Sequence, residues 1–220
     1  MEKRKLEIVI LAAGDFPSHP LPLRVLREAD FVVCCDSAYE AINNEELRIK
    51  NFVVIGDGDS LSGSDKQALG DRWLQVDEQD YNDLHKAMSW ATSKFKIQNS
   101  QFTILGATGR REDHTLGNIS YLVTFAMEYP GIHLAMLTDH GTFRAIGVGT
   151  HRFRSFPRQQ VSIFVTDPTT ALTSEGLRWP LCQMHPRLWW QATLNEALED
   201  SFTLTSTGPF ILFLTHEGKA

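Results

Sequence analysis

Along the 220-residue chain the rhythm of apolar and polar positions changes once, near about residue 140. Before that point short unbroken apolar runs alternate with stretches of helical period. The runs are Ile8–Leu11, Phe31–Cys35, Phe52–Ile55, Phe102–Leu105 and Leu134–Leu137. An unbroken apolar run closed by turn residues reads as a strand buried on both faces. Leu84, Ala87, Met88, Ala91 and Phe95 repeat at helical spacing behind Asn82, which suits an N-cap. Leu116, Ile119, Val123 and Ala126 form a second such face. Leu23, Leu26 and Arg27 suit a short helix after a loop that Pro17, Pro20 and Pro22 keep irregular. Buried strands separated by helices predict an α/β unit over residues 1–140, a Rossmann-like, mostly parallel sheet with helices on both faces. After it come Phe143–Gly149, Val161–Val165, Thr170–Thr173, Ser201–Ser206 and Phe210–Thr215, with turn residues between and no long helical period. That predicts a C-terminal antiparallel β-sandwich over residues 141–220.

Composition narrows the class. Hydrophobic residues make up 42% and charged residues 22%, which excludes disordered and low-complexity chains. The net charge of −6 gives no general attraction for nucleic acid or an anionic membrane, so neither is an expected partner. Three Cys, two of them adjacent at Cys34 and Cys35, make no disulfide framework and suit a reducing compartment. The six-residue run Ile8–Ala13 is shorter than a signal h-region or a membrane span. The expected location is therefore the cytoplasm.

The chemistry concentrates where predicted strands end. Ligands of an open α/β sheet sit beyond the C-terminal ends of its strands. Here those ends carry Asp36, the pair Asp57 and Asp59, the segment Gly106–Asp113, and Asp139; Asp80 and Asp83 stand where a helix begins. Carboxylates crowded on one rim call for a cation, and hard oxygen donors suit Mg²⁺ carrying substrate phosphates. A Mg-nucleotide site follows as the functional reading. Taken singly, each Asp is better explained as a turn or cap residue, and for the Gly56–Ser60 segment the two readings balance. Arg110 and Arg111 suit phosphates at a helix N-terminus, or simply a solvated surface. There is no GxxxxGK(S/T), no third glycine after Gly147-Val148-Gly149, no GxSxG and no zinc spacing among the eight His. Trp179, Trp189 and Trp190 lie in the β-rich part, where they suit packing or the stacking of a cationic heteroaromatic ring.

Taken in order, these loops resemble the thiamine pyrophosphokinase family. Gly56-Asp57-Gly58-Asp59-Ser60 matches its Gly-Asp-x-Asp-Ser loop, and Gln79-Asp80-Tyr81-Asn82-Asp83 its Gln-Asp-x-x-Asp segment opening a helix. Gly106-Ala107-Thr108-Gly109-Arg110-Arg111-Glu112-Asp113-His114, followed by Asn118, matches its Gly-x-x-Gly-x-Arg-x-Asp-His loop and helix. Ser174–Leu181 and Thr193-Leu194-Asn195-Glu196 match later family stretches more loosely. The chain departs from the family at Ser37-Ala38 and Arg110, where glycines are usual, and at Gly58, where an aromatic is usual.

The resemblance implies transfer of a diphosphoryl group from ATP to the hydroxyethyl oxygen of thiamine, giving thiamine diphosphate and AMP. It implies Mg²⁺ held by Asp57, Asp59 and Asp83, with Asp113 completing that site or orienting the nucleophile. Any one of these four catalytic carboxylates could accept the hydroxyl proton. Asp36, Gly106, Thr108, Gly109, Arg111, His114 and Asn118 would contact the nucleotide, with Arg111 on phosphate. Gln79, Trp189 or Trp190, Thr193 and Asn195 would contact thiamine, with Trp179 as an alternative stacking ring, in a homodimer whose sites draw on both subunits. Competing readings are a pyrophosphokinase for another heteroaromatic alcohol, such as a pterin carbinol, and a thiamine-binding protein without turnover.

Overall fold

The protein, seen here as a computed structural model, is described over residues 4–42, 47 and 49–219. It divides into two compact units, Met1–Asp139 and His140–Ala220. The first unit contains strands β1 (Leu6–Leu11), β2 (Phe31–Cys35), β3 (Phe52–Gly56), β4 (Trp73–Gln75), β5 (Ser100–Leu105) and β6 (Leu134–Leu137). Its helices are α1 (Pro20–Glu28), α2 (Tyr39–Ile42), α3 (Gly63–Leu69), α4 (Asp83–Lys94) and α5 (Glu112–Glu128).

Within this unit every strand pair is parallel, in the order β6-β5-β1-β2-β3-β4. The apolar runs are continuous because both faces of the sheet are covered. Val9, Leu11, Val32, Cys34 and Val54 pack with Leu26, Ile42 and Leu69 of α1, α2 and α3. Helix α4 packs on β1, β2 and β3 through the buried Ala87, Met88 and Ala91. Asn82 is its N-cap, accepting from the His85 N–H at 3.1 Å. The chain runs outward from β1 to β4 and then returns to β5 on the far side of β1. The strand order therefore reverses between β1 and β5, and a crevice opens beyond their C-terminal ends.

Several expectations change here. Pro20 and Pro22 do not prolong an irregular loop; they lie in the first turn of α1, where a missing N–H costs nothing and the fixed φ suits the helix. Helix α3 and strand β4 were not legible in the pattern. Each is short, and β4 exposes Gln75. Asp139 does not join the other strand-end carboxylates. It is occupied by the N–H groups of Ser18 and His19 and by the Ser18 hydroxyl, tethering the segment before α1.

The second unit is a sandwich of two antiparallel sheets. One has the order β11-β9-β13-β7, built from β7 (Gly141–Ile146), β9 (Gln159–Val165), β11 (Asn195–Glu196) and β13 (Phe210–Gly218). The other has the order β10-β12-β8, from β8 (Gly149–Arg154), β10 (Leu172–Glu175) and β12 (Ser201–Ser206). Val161, Ile163, Phe210 and Leu212 of the first sheet meet Leu172, Phe202 and Leu204 of the second in one core. The stretch read as one strand from Phe143 to Gly149 is broken at Gly147-Val148, and Gly149 at φ +123° starts β8 in the other sheet. Strand β8 escapes notice because alternating Arg152 and Arg154 interrupt its apolar character.

Glu7 of β1 provides a test of the first unit. Burial raises its pKa, and Asp30 adds to this, against the Thr103 hydroxyl that donates to it at 2.5 Å. A raised carboxyl pKa means the fold favours the protonated form. Its stabilising contribution is present at low pH and is lost as pH rises through the folded pKa. Glu7→Gln mimics the protonated form at every pH. It is expected to raise Tm at pH 7 by about 2 °C, since about 1 kcal/mol moves Tm by about 2–4 °C in a chain of this size. The gain should vanish by about pH 4, and an equal gain at both pH values would exclude the explanation.

Candidate active site

The loops beyond β1 and β5 are tied by their backbones. Ala12 N–H reaches Leu105 O at 2.9 Å, Gly14 N–H reaches Gly106 O at 2.6 Å, and Asp15 N–H reaches Thr108 O at 2.9 Å. Gly106 has φ +62°, and a Cβ there would stand 2.6 Å from Ala12 O, so no larger residue fits that approach. A cleft of about 330 Å³ opens here. It is lined by Gly14, Ser37, Asp83, Arg110, Arg111 and His114, among others. The lining thus holds the cations Arg110 and Arg111 together with the carboxylate of Asp83, a mixture suited to a polyphosphate.

Three carboxylates form the acidic edge. Asp36, Asp57 and Asp59 each offer an oxygen, and the three oxygens lie within 4.8 Å of one another. Asp36 is buried and is held by the N–H groups of Ser37 at 2.5 Å and Gly58 at 3.1 Å. Gly56 is required beside it, because a Cβ would come within 2.6 Å of the Asp36 Cγ. Gly58 adopts φ +82°, and a Cβ there would run into Trp73 and Lys66, so this position takes glycine here. The Asp59 N–H donates to Asp57 at 3.2 Å and lowers its pKa, with the Gln79 amide assisting at 3.4 Å. An all-oxygen donor set of this kind fits Mg²⁺.

Asp83 sits at the first turn of α4. Burial raises its pKa, and the charge on Asp36 raises it further. Lys86, one turn along the same helix, answers this with its Nζ at 3.3 Å from Asp83 Oδ1 and a side chain only 5% exposed. Its charge also lowers the pKa of Asp57. Sequence reasoning missed Lys86, because an isolated Lys on a helix reads as solvated. The available signal was its i, i+3 spacing from Asp83.

Other expected residues are placed differently. The Asp113 carboxylate is exposed, bound by Arg111 at 2.6 Å and capped by the His114 N–H at 2.9 Å. That ion pair lowers the pKa of Asp113 and raises that of Arg111. Asn118 acts as a strut, donating to Ala107 O at 2.9 Å and accepting from Asn82 at 3.1 Å. It thereby locks the α4 start to the β5–α5 loop. Arg110 has φ +51°, the left-handed conformation that explains why glycine is usual there, and its side chain lines the cleft. The Thr108 carbonyl accepts from the Asp15 N–H at 2.9 Å. The thiols of Cys34 and Cys35 are buried, which pushes both pKa values up and keeps them inert.

The second unit exposes an apolar patch. Trp179 is 52% exposed, Trp189 52%, Trp190 70% and Leu194 68%. The Arg178 guanidinium lies over the Trp179 ring at 5.5 Å, so one face of that ring already carries a cation. Asn195 is buried and accepts from the Trp179 N–H at 3.2 Å while donating to Trp179 O at 2.7 Å, bracing that segment. Thr193 donates to Trp190 O at 2.8 Å. Leu194 between them has φ +58°, a conformation that costs a branched residue roughly 1–2 kcal/mol. Strain of this kind clusters at ligand sites.

The family model of the thiamin pyrophosphokinase catalytic domain matches residues 23–134, and that of the thiamin pyrophosphokinase substrate-binding domain matches residues 141–213. Thiamine pyrophosphokinase 1 of Oryza sativa subsp. japonica is 31% identical over 147 residues, covering 61% of this chain and 54% of the relative. Thiamin pyrophosphokinase 1 of Caenorhabditis elegans is 29% identical over 106 residues, covering 44% and 42% respectively. The chain thus spans about half the length of the curated relatives it matches. The crystal structure of yeast thiamin pyrophosphokinase superposes with a TM-score of 0.80 at 16% identity, covering 97% of this chain and 87% of that one. That of thiamine pyrophosphokinase from Bacillus subtilis gives 0.77 at 21% identity, covering 95% and 98%. At these identities the likeness shows the fold.

Proposed function

Because both domain models match in order along it, the chain belongs to the thiamin pyrophosphokinase family, and we propose that it transfers the diphosphoryl group of ATP to thiamine, releasing AMP. The observation that carries this reading is the convergence of Asp36, Asp57 and Asp59 in the loops after β2 and β3, together with a cleft beyond β1 and β5 lined by Asp83, Arg110 and Arg111. Phosphoryl transfer needs alignment and charge neutralisation more than covalent help.

In this reading Asp36, Asp57 and Asp59 hold Mg²⁺, with Asp83 beside them. The ion would neutralise developing charge on the polyphosphate when bound. Arg110 and Arg111 face the phosphates. Asp83, on the cleft wall at the first turn of α4, is placed to accept the hydroxyl proton. Asp113 positions Arg111. Gln79 orients Asp57.

The Trp-bearing segment supplies the thiamine contacts, and its exposed patch suits a homodimer that shares its sites. A reducing, cytoplasmic setting is supported by free Cys34, Cys35 and Cys182. No helix among the described residues is long and apolar enough to cross a membrane.

The deciding assay measures AMP release with and without thiamine and Mg²⁺. Release that needs both supports the reading. Thiamine binding without AMP supports a binding protein, and release with a pterin carbinol alone supports the other kinase. Trp189→Leu or Trp190→Leu is expected to raise the thiamine KM about 2- to 30-fold with the ATP KM unchanged, from a cation–π contribution of roughly 0.5–2 kcal/mol. Trp179→Leu should change it less, since Arg178 covers one face of that ring. No change in any of the three removes stacking from the model of the thiamine site.

A further inference from the structure

A second cleft, of about 540 Å³, lies wholly within the sandwich unit, and its charge contrasts with that of the chain. The whole protein carries −6, yet this cleft is lined by Arg144, Arg152 and Arg154 and, among the described residues, by no carboxylate. Arg152 spends one Nη2–H on the Ser201 hydroxyl at 2.8 Å. No hydrogen bond or ion pair engages the guanidinium of Arg144 or Arg154 among the described residues.

The position of Arg144 is the unusual one. In the antiparallel β7–β13 ladder it stands directly opposite Leu212, and its neighbours on that face pair as Thr142 with Leu214 and Ile146 with Phe210. Residues directly opposite in a ladder share a face. Leu212 and Phe210 on this face are buried in the sandwich core. The period of the strand therefore calls for an apolar residue where Arg144 stands. Arg144 is itself exposed, as are Arg152 and Arg154, so the three charges meet an anion at the solvent-facing margin of this apolar face, where their pull weakens as salt rises. Arg152 and Arg154 flank Phe153 on β8, the edge strand of the facing sheet.

We propose that this cleft binds a small molecule bearing a diphosphate group, without a metal ion. Planar guanidinium groups bind phosphate oxygens bidentately, and more than one is needed for the charge of a diphosphate. Phe153 and Leu214 offer apolar surface to an organic substituent. The volume falls in the range of about 300–1,000 Å³ usual for small-ligand sites, which favours such a ligand over a peptide segment. The site shares no residue with the carboxylate cleft and does not depend on the proposed reaction.

Calorimetric titration of the full chain with inorganic pyrophosphate in excess EDTA tests this, because without divalent cations Asp36, Asp57 and Asp59 repel the anion. The expected result is one pyrophosphate per chain, with affinity falling as salt rises. Arg144→Gln and Arg154→Gln should each weaken it about tenfold or more, and Asp57→Asn should leave it unchanged. Arg144→Lys keeps the charge but not the fork, and should fall between. Should Arg144→Gln fail to fold, Arg154→Gln on the edge strand gives the same reading. A parallel titration with thiamine diphosphate sorts the source. Tighter binding than pyrophosphate supports an ester ligand, and equal binding supports recognition of the diphosphate alone. No saturable binding in EDTA, or binding indifferent to both glutamine substitutions, overturns the proposal.

Discussion

Asp57→Asn and Asp59→Asn are each expected to lower kcat/KM for AMP release by about 100-fold or more while leaving Tm within about 1 °C of the parent. The first figure follows from a metal's several kcal/mol of transition-state charge stabilisation, at about 1.4 kcal/mol per tenfold. The second follows from position, since Asp57 is half-buried, Asp59 is exposed, and apart from the long Gln79 contact at 3.4 Å their hydrogen bonds are local. Asp36→Asn should separate the two effects. Its carboxylate also holds the Ser37 and Gly58 N–H groups, so activity and Tm should fall together. Raising the Mg²⁺ concentration should recover part of the Asp59→Asn loss, because weakened ion binding is a matter of mass action. Full activity in both the Asp57 and Asp59 variants at low Mg²⁺ would eliminate the carboxylate trio as the metal site.

Lys86→Met is the second large expected effect. Its volume is close to that of Lys, so what is lost is charge. With chelator present, the variant leaves Asp83 unpaired beside Asp36, and the stability cost is expected at about 1–3 kcal/mol, the usual penalty for stranding a buried polar group. That corresponds to a fall in Tm of about 2–4 °C per kcal/mol. Added Mg²⁺ should narrow the gap, since a cation among the carboxylates replaces the missing positive charge. Lys86→Arg should not restore the parent, because the side chain is nearly enclosed and extra bulk there costs about 1–3 kcal/mol. Identical melting of Lys86→Met and parent in chelator would show that Lys86 does not balance the acidic edge.

The divide between legible and illegible elements follows the source of the stabilising force. The strands β1, β2, β3, β5 and β6 were readable because both faces are covered, which demands unbroken apolar runs such as Ile8–Leu11. Helix α4 was readable from its N-cap Asn82 and its apolar face. Strands β4 and β8 were not, since Gln75 and the two arginines of β8 leave too little apolar periodicity to detect. Their pairing is decided by partners distant in sequence, β4 on β3 and β8 on β12. The same limit applies to the site. The Gly56–Ser60 loop announces itself because two carboxylates and two glycines crowd into five residues. Arg144 does not, because only the ladder to β13 shows that its face is apolar.

What the order of residues determined alone was local: which runs are strands and helices, that the periodicity changes near about residue 140, and that acidic loops follow strands. These rest on short-range sterics, capping and the period of buried faces. The membership of the carboxylate set was decided only by tertiary structure. The return of β5 to the far side of β1 opens the crevice, the pairing of β2 with β3 brings Asp36 to Asp57 and Asp59, and the docking of α4 buries Lys86 against Asp83. Asp113 is paired with Arg111 two residues away, and Asp139 is bound by the distant Ser18-His19 backbone. A carboxylate's role depends on the charges and donors within a few ångströms of it; Lys86 and Arg111 stand three and two residues from the carboxylates they pair with, but the neighbours of Asp36 and Asp139 come from segments distant along the chain, which only the fold brings close.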